Sequence, residues 1–129
     1  MNKIIVITGP TGVGKTKLSI SLAKLYDGEI INADSMQIYK DLNIGTAKIK
    51  ENEKENIPHH LFDIKIISEE YSIYNYQIDC RKKIEEIIAR NKTPILVGAT
   101  GLYIKSALYD YKLDYSIKTN DYENLSSEE

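Results

Sequence analysis

Lys3-Ile4-Ile5-Val6-Ile7-Thr8 runs directly into Gly9-Pro10-Thr11-Gly12-Val13-Gly14-Lys15-Thr16. The first six residues are almost wholly apolar and β-branched, the pattern of a parallel strand buried on both faces. The next eight match, without substitution, the phosphate-binding pattern of glycine, four residues, then Gly-Lys-Thr. Leu18, Ile20, Leu22, Ala23 and Leu25 then supply the apolar side of a helix. Strand, loop and helix therefore come in the order that phosphate binding requires. Gly9, Gly12 and Gly14 let the backbone curl with its N–H groups turned inward. The helix behind them adds the positive end of its dipole. Lys15 is placed to reach outer phosphate oxygens, and the Thr16 hydroxyl to ligate Mg²⁺. A glycine-rich turn without a ligand is the weaker reading of a complete motif in its proper context. The loop implies a di- or triphosphate and does not say which.

Working outward, 129 residues make one domain at most, with a small core. The composition is that of a soluble globular protein, 42% apolar and 28% charged, with a net charge of −2. No basic excess supports nucleic-acid binding, so such a partner has to be argued from motifs. The single cysteine, Cys80, excludes an internal disulfide and a Cys-rich zinc site, and it fits a reducing compartment. The apolar run at the start is too short for a signal peptide or a membrane span, so a cytoplasmic protein with no membrane partner is expected.

Periodicity and breakers predict a helix from Lys15 to Tyr26, ended by glycine at Asp27-Gly28, and a strand over Glu29–Asn32. A polar loop follows over Asp41–Asn56, then a short strand over His59–Ile64. The longest helix starts from Ser72 as N-cap and runs to about Arg90, with Ile73, Tyr76, Cys80, Ile84, Ile87 and Ile88 as its buried stripe. Pro94–Val97 is a fourth strand, and Leu102–Leu108 a short helix. Beyond Lys112 the apolar pattern fades. The expected organisation is a core over 1–112 and a disordered or truncated tail over 113–129. Alternating strands and helices imply an α/β fold, a P-loop NTPase-like parallel sheet with flanking helices. Four short strands make a thin sheet, as if incomplete at the C-terminal end.

Three segments are expected to converge at the carboxyl edge of that sheet: the loop at 9–16, Asp34-Ser35-Met36-Gln37, and Gly98-Ala99-Thr100-Gly101. Asp34, just past its strand, could hold Mg²⁺ through water, take a proton from a nucleophile, or merely cap a helix. Gln37 carries an amide able to pair with a base edge, a weak signal alone. Thr100 reads locally as an N-cap. His59 and His60 are adjacent on a strand and point to opposite faces, which favours structural roles over a shared metal. The ten tyrosines form no stacking pattern typical of nucleic-acid binders.

Several blocks occur together in order: the phosphate loop, Asn32-Ala33-Asp34-Ser35-Met36-Gln37-Ile38-Tyr39, Ile44-Gly45-Thr46-Ala47-Lys48, Pro58-His59-His60-Leu61, and Pro94 through Ile104. From residue 1 to about 110 they closely resemble the N-terminal part of the tRNA dimethylallyltransferases. The resemblance implies transfer of a dimethylallyl group from dimethylallyl diphosphate to the exocyclic amine of the adenosine just 3′ of the anticodon in tRNA. It implies that residues 9–16 hold the donor diphosphate with Mg²⁺, that Asp34 is the base, and that Ser35, Met36 and Gln37 line the pocket of the target base. Thr100 would lie against the tRNA. Two departures stand out. Ala99 replaces a second glycine, which is tolerable only without positive φ. The family's second half, with a helical domain for the anticodon stem and an arginine for the diphosphate, is not in this sequence, which therefore reads as a fragment or a truncated product, taken to be monomeric. The competing readings are an ATP-using small-molecule kinase of the phosphate-loop class and an inactive binding fragment.

Overall fold

The computed structural model describes residues 2–8, 14–39, 54–62, 64–65, 70–99, 101–109 and 115–121. Its elements in chain order are β1 (Asn2–Thr8), α1 (Lys15–Tyr26), β2 (Gly28–Asn32), β3 (His59–His60), α2 (Ile73–Ala89), β4 (Thr93–Gly98), α3 (Gly101–Leu108) and β5 (Tyr115–Asp121). A 3-10 turn at Ser35–Ile38 follows β2. The five strands form one sheet in the order β3-β2-β4-β1-β5, and every pairing is parallel.

Alternation along the strands divides the core into two layers. Ile5, Ile7, Ile30 and Ile95 meet Ile20 and Ala23 of α1 on one face. On the other, Ile4, Val6, Ile31 and Leu96 meet Tyr76, Cys80, Ile84 and Ile87 of α2 and Tyr103 and Ala107 of α3. Burial on both faces is why these strands read as continuous apolar runs rather than alternating ones. Each fully buried isoleucine contributes roughly 1.5–3 kcal/mol of transfer free energy. Cys80 belongs to this second layer, and burial pushes its thiol up to about 12, so it is an inert packing group. Among the described residues no helix is long and apolar enough to cross a membrane.

Helix ends explain several local differences from the sequence reading. α1 spans the expected residues, but Asp27, not glycine, takes the left-handed cap (φ 55°, ψ 57°) and donates its N–H to Ala23. Gly28 opens β2 instead, and its need is steric. A Cβ there would stand 2.7 Å from the Thr93 carbonyl oxygen and 2.8 Å from Ile95 Cδ1. α2 starts with a reciprocal capping box: the Ser72 hydroxyl accepts from the Asn75 N–H, and Asn75 Oδ1 accepts from the Ser72 N–H. Its stripe is buried at Tyr76, Cys80, Ile84 and Ile87, but Ile73 is 42% exposed. Periodicity fixes a helix face and not where the neighbouring layer begins.

Two strand expectations are corrected. The third strand stops at His60, because Leu61 adopts φ 65° and leaves the extended region. Tyr115–Asp121, expected in a tail, forms a fifth strand that pairs with β1 along its whole length, from Asn2↔Tyr115 to Thr8↔Asp121. An edge strand is held by a backbone ladder on one side only, so it carries little of the apolar signature that marks a central strand.

Near the amino-terminal end of β2 the buried carboxylate of Glu29 gathers three contacts. Arg90 donates from Nη2 (2.5 Å) and Nε (3.1 Å), and His60 Nε2 lies 2.7 Å away. Burial works against the charge on Glu29, but the hydrogen bonds from Arg90 and His60 outweigh it and hold the carboxyl below its ordinary 4.5. A depressed carboxyl stabilises the fold fully above the unfolded value and loses that contribution as pH falls through the folded one. Urea unfolding at a series of pH values should therefore show stability declining below about pH 4.5. Glu29→Gln should be less stable at pH 7 and lose less on acidification; parallel pH profiles for both proteins would remove Glu29 from the account.

Candidate functional site

Because all strands are parallel, β1, β2 and β4 end at the same edge. The register sets Thr8 beside Gly98 and Asn32 beside Val97. The ladder runs one residue further, with the Ala33 N–H donating to the Val97 carbonyl at 2.8 Å. It is at this edge that open α/β sheets bind ligands.

The phosphate-loop motif enters α1 through Gly14, whose φ of 107° is open to glycine and strained for any other residue. The Gly14 carbonyl accepts the first helical bond, from Leu18 N–H at 2.9 Å. Lys15 is 8% exposed, an unusual degree of burial for a lysine. That burial lowers its pKa, while the negative charge of Asp34 pulls the other way and favours the ammonium. The two side chains expected to serve one site thus act on each other across the gap between α1 and the end of β2. Thr16 is exposed at the first turn of α1, and its carbonyl accepts from Ser19 Oγ at 2.8 Å. Gly9, Pro10, Thr11, Gly12, Val13 and Thr100 lie outside the described residues, as do the side chains of Met36 and Gln37.

Asp34 stands just before the 3-10 turn that begins at Ser35. Its backbone is engaged on two sides. The buried amide of Asn32 accepts from the Asp34 N–H at 2.9 Å and donates to the Asp34 carbonyl at 2.9 Å and to the Leu61 carbonyl at 3.1 Å. Opposite, a Cβ on Gly98 would stand 2.2 Å from the Ala33 carbonyl carbon and 2.7 Å from Asp34 N. Only a glycine at the end of β4 lets the two segments lie this close. Ala99 is not among the described residues with positive φ, so its methyl group is accommodated without backbone strain.

Tyr103 closes the back of this region. Burial raises its pKa, with further contributions from Tyr39 and Asp34. Its ring stacks on Tyr76 at 4.1 Å between centroids, and the Tyr76 hydroxyl donates to the Asn32 carbonyl at 2.7 Å. α3 is anchored at its far end, where Gln77 Nε2 donates to the Ser106 carbonyl at 2.9 Å and Arg81 Nε to the Ala107 carbonyl at 2.8 Å. These bonds satisfy carbonyls that a helix end leaves without partners.

The edge therefore holds a buried cation, a carboxylate within its field and a hydroxyl at a helix N-terminus. This set suits an anionic phosphate ligand and a proton acceptor beside it. Among the described residues no group of three or more His, Cys, Asp or Glu could hold a metal. His60 is engaged by Glu29, and His59 Nδ1 lies 2.7 Å from the Ile57 carbonyl, so both have the structural surroundings expected of them. Sequence reasoning placed Gly98 at the edge but missed Asn32 and Tyr76 as its builders. An asparagine closing an otherwise apolar strand was the available signal, since a buried amide has to find partners.

The IPP transferase family model matches residues 37–129. This chain belongs to that family. It is 54% identical to the tRNA dimethylallyltransferase of Enterococcus faecalis, over all of this chain and 43% of the relative. It is 61% identical to that of Bacillus pumilus over 84% of this chain and 34% of the relative. Among solved structures, the full-length tRNA isopentenylpyrophosphate transferase of Bacillus halodurans superposes with a TM-score of 0.81 at 47% identity, covering 88% of this chain and 37% of that one. A eukaryotic dimethylallyltransferase acting on tRNA superposes with a TM-score of 0.80 at 46% identity, covering 88% and 28%. The fold is the P-loop NTPase-like one of these transferases. The chain spans less than half the length of the family members it matches.

Calorimetric titration of the chain with inorganic diphosphate should show binding weakened roughly 10- to 100-fold by Lys15→Ala, the worth of a charge-assisted hydrogen bond. Unchanged affinity would move the phosphate away from α1. Gly98→Ala should lower stability by about 1–3 kcal/mol, as overpacking does, in chemical denaturation; a neutral result would show that the end of β4 yields easily.

Proposed function

We propose that this chain is the donor-binding and base-bearing portion of a tRNA dimethylallyltransferase. In this reading dimethylallyl diphosphate is the donor and the acceptor is the exocyclic amine of the adenosine 3′ of the anticodon. The observation that carries it is that the parallel sheet sets Lys15, buried at the start of α1, and Asp34, just past β2, at the same carboxyl edge. The family membership and the tRNA-acting structural relatives supply the substrate class.

The residues divide the work in a way the chemistry requires. Attack by the adenine amine on the allylic carbon forms a C–N bond as the C–O bond to the diphosphate breaks. The electron pair leaves with the diphosphate, where Lys15 and the N–H groups at the start of α1 stabilise the developing charge. The amine becomes cationic as it bonds, and Asp34 takes its proton. The target base leaves its stack to reach such an edge, and Ser35, Met36, Gln37 and Thr100 are assigned to receive it and the RNA around it. The hydroxyl of Thr16 and the carboxylate of Asp34 are hard oxygen donors. Thr16 would hold a Mg²⁺ directly and Asp34 only through water. Bound there, Mg²⁺ would neutralise diphosphate charge. A monomeric protein working in the cytoplasm completes the proposal.

Two measurements test it. Titrating the chain with dimethylallyl diphosphate and then with ATP, both with Mg²⁺, should give tighter binding of the isoprenoid; tighter ATP binding would support a phosphate-loop kinase instead. For chemistry, this chain can be grafted onto the remaining length of the Enterococcus faecalis relative. There Asp34→Asn should slow dimethylallyl transfer to an anticodon stem-loop by about 10²- to 10⁴-fold, with donor affinity little changed. A rate near that of the parent would leave Asp34 a turn residue and no base.

A further inference from the structure

We propose that Asn32 is a positioning residue for Asp34: its buried amide locks both peptide groups of Asp34, so that the Cα–Cβ bond carrying the carboxylate is aimed at the site in one direction. The proposal rests on the reading of Asp34 as the reacting carboxylate, but the arrangement that carries it is independent of that reading.

Asn32 is 1% exposed at the last position of β2. A strand residue with a side chain of that size buried at the end of an apolar run is more simply hydrophobic, and an amide costs free energy there unless it is fully partnered. Here its Oδ1 accepts from the Asp34 N–H at 2.9 Å, and its Nδ2 donates to the Asp34 carbonyl at 2.9 Å and the Leu61 carbonyl at 3.1 Å. Both protons of Nδ2 thereby have acceptors, and the side chain is bonded on both ends to the same residue, two positions along. Its own backbone carbonyl takes the Tyr76 hydroxyl at 2.7 Å. The bond to Leu61 ties the arrangement to a residue held at φ 65°, immediately after β3.

The other side of the Asp34 segment is closed by β4. The Ala33 N–H donates to the Val97 carbonyl at 2.8 Å, and a Cβ on Gly98 would collide with the Ala33 carbonyl and Asp34 N. The peptide that carries Asp34 is therefore gripped between a buried amide and a bare strand end. With N–H and C=O both fixed, the Cα–Cβ bond of Asp34 has one direction, and only the side-chain torsions are left to set. An aspartate at position 32 would keep the acceptor for the Asp34 N–H, yet turn a second oxygen against two carbonyls and bury a charge. Serine has one donor on a shorter side chain and alanine none, so neither can bond both the Asp34 and Leu61 carbonyls. The site asks for an amide of this length and for no other side chain.

The test uses the 129-residue chain, labelled with ¹³C and ¹⁵N. Three-bond couplings about the backbone N–Cα bond of Asp34, with residual dipolar couplings of its peptide groups, report whether its backbone holds one conformation, and amide exchange reports the Asp34 N–H. In the unaltered chain the couplings should indicate one backbone conformation. In Asn32→Ala they should average, and Asp34 N–H exchange should speed up by about tenfold or more, the loss of one ordinary hydrogen bond. Tyr76→Phe removes a buried hydrogen bond to the same residue while leaving the amide in place. It should lower the melting temperature but leave the Asp34 couplings unaltered. Averaged couplings in the unaltered chain would overturn the proposal, as would equal changes in Asn32→Ala and Tyr76→Phe. Should Asn32→Ala not fold, through-hydrogen-bond couplings from Asn32 Nδ2 to the Asp34 carbonyl in the unaltered chain decide it, and their absence overturns it. None of these readouts depends on transfer, so a failure of Asp34 as base in the graft experiment is distinguishable from a failure of the clamp.

Discussion

Burial of the central strands on both faces is the constraint on which the rest depends. β1, β2 and β4 carry apolar side chains up and down, so each face has to be covered by a helical layer. α1 covers one face, and α2 and α3 cover the other. With the strands parallel, every carboxyl end lies on one edge, and every chain segment entering a helix starts from there. The phosphate-loop lysine, the carboxylate after β2 and the glycine that ends β4 are neighbours for that topological reason. No contact among them is needed to bring them together.

The two ends of the sheet treat charge differently. Towards the amino-terminal end, Glu29 is buried but enclosed by Arg90 and His60, and the hydrogen bonds from Arg90 and His60 keep its carboxyl ionised and serve the fold. At the carboxyl edge, Lys15 is buried, its pKa is lowered by desolvation, and its field partner is a carboxylate on another element. A buried cation beside a helix N-terminus sustains its charge best with an anion bound. The first arrangement serves the fold, whereas the second lies at the edge where open α/β sheets take their ligands.

Close approach gives the edge its shape. Gly28 lets β2 begin against Thr93 and Ile95, and Gly98 lets the Ala33–Asp34 peptide lie against the end of β4. Between these points β2 and β4 run in register from Gly28↔Thr93 to Asn32↔Val97. A methyl group at either glycine would force the strands apart at one end and tilt the segment that carries Asp34. Tyr76 and Tyr103 then stack behind β2 and link α2 and α3 to that end of the sheet.

Much of this was legible in the residues themselves. The strand–loop–helix order around Gly9–Thr16, the extent of α1, the Ser72 cap and the buried stripe of α2 all follow from local propensity and periodicity, which act within a few residues. The shared blocks around Asp34 and Gly98 carried the family resemblance. What sequence could not supply were facts that exist only between distant segments. Asn32 holds Asp34 and Leu61, Gly98 makes room for Ala33, and β5 joins the edge of β1 through its backbone. A backbone ladder leaves no side-chain pattern, and a glycine required by a neighbouring strand looks like any turn glycine. Local chemistry determined the helices, the central strands and which side chains can react; the edge strand, and the distances at which those side chains are held, were decided only by tertiary packing.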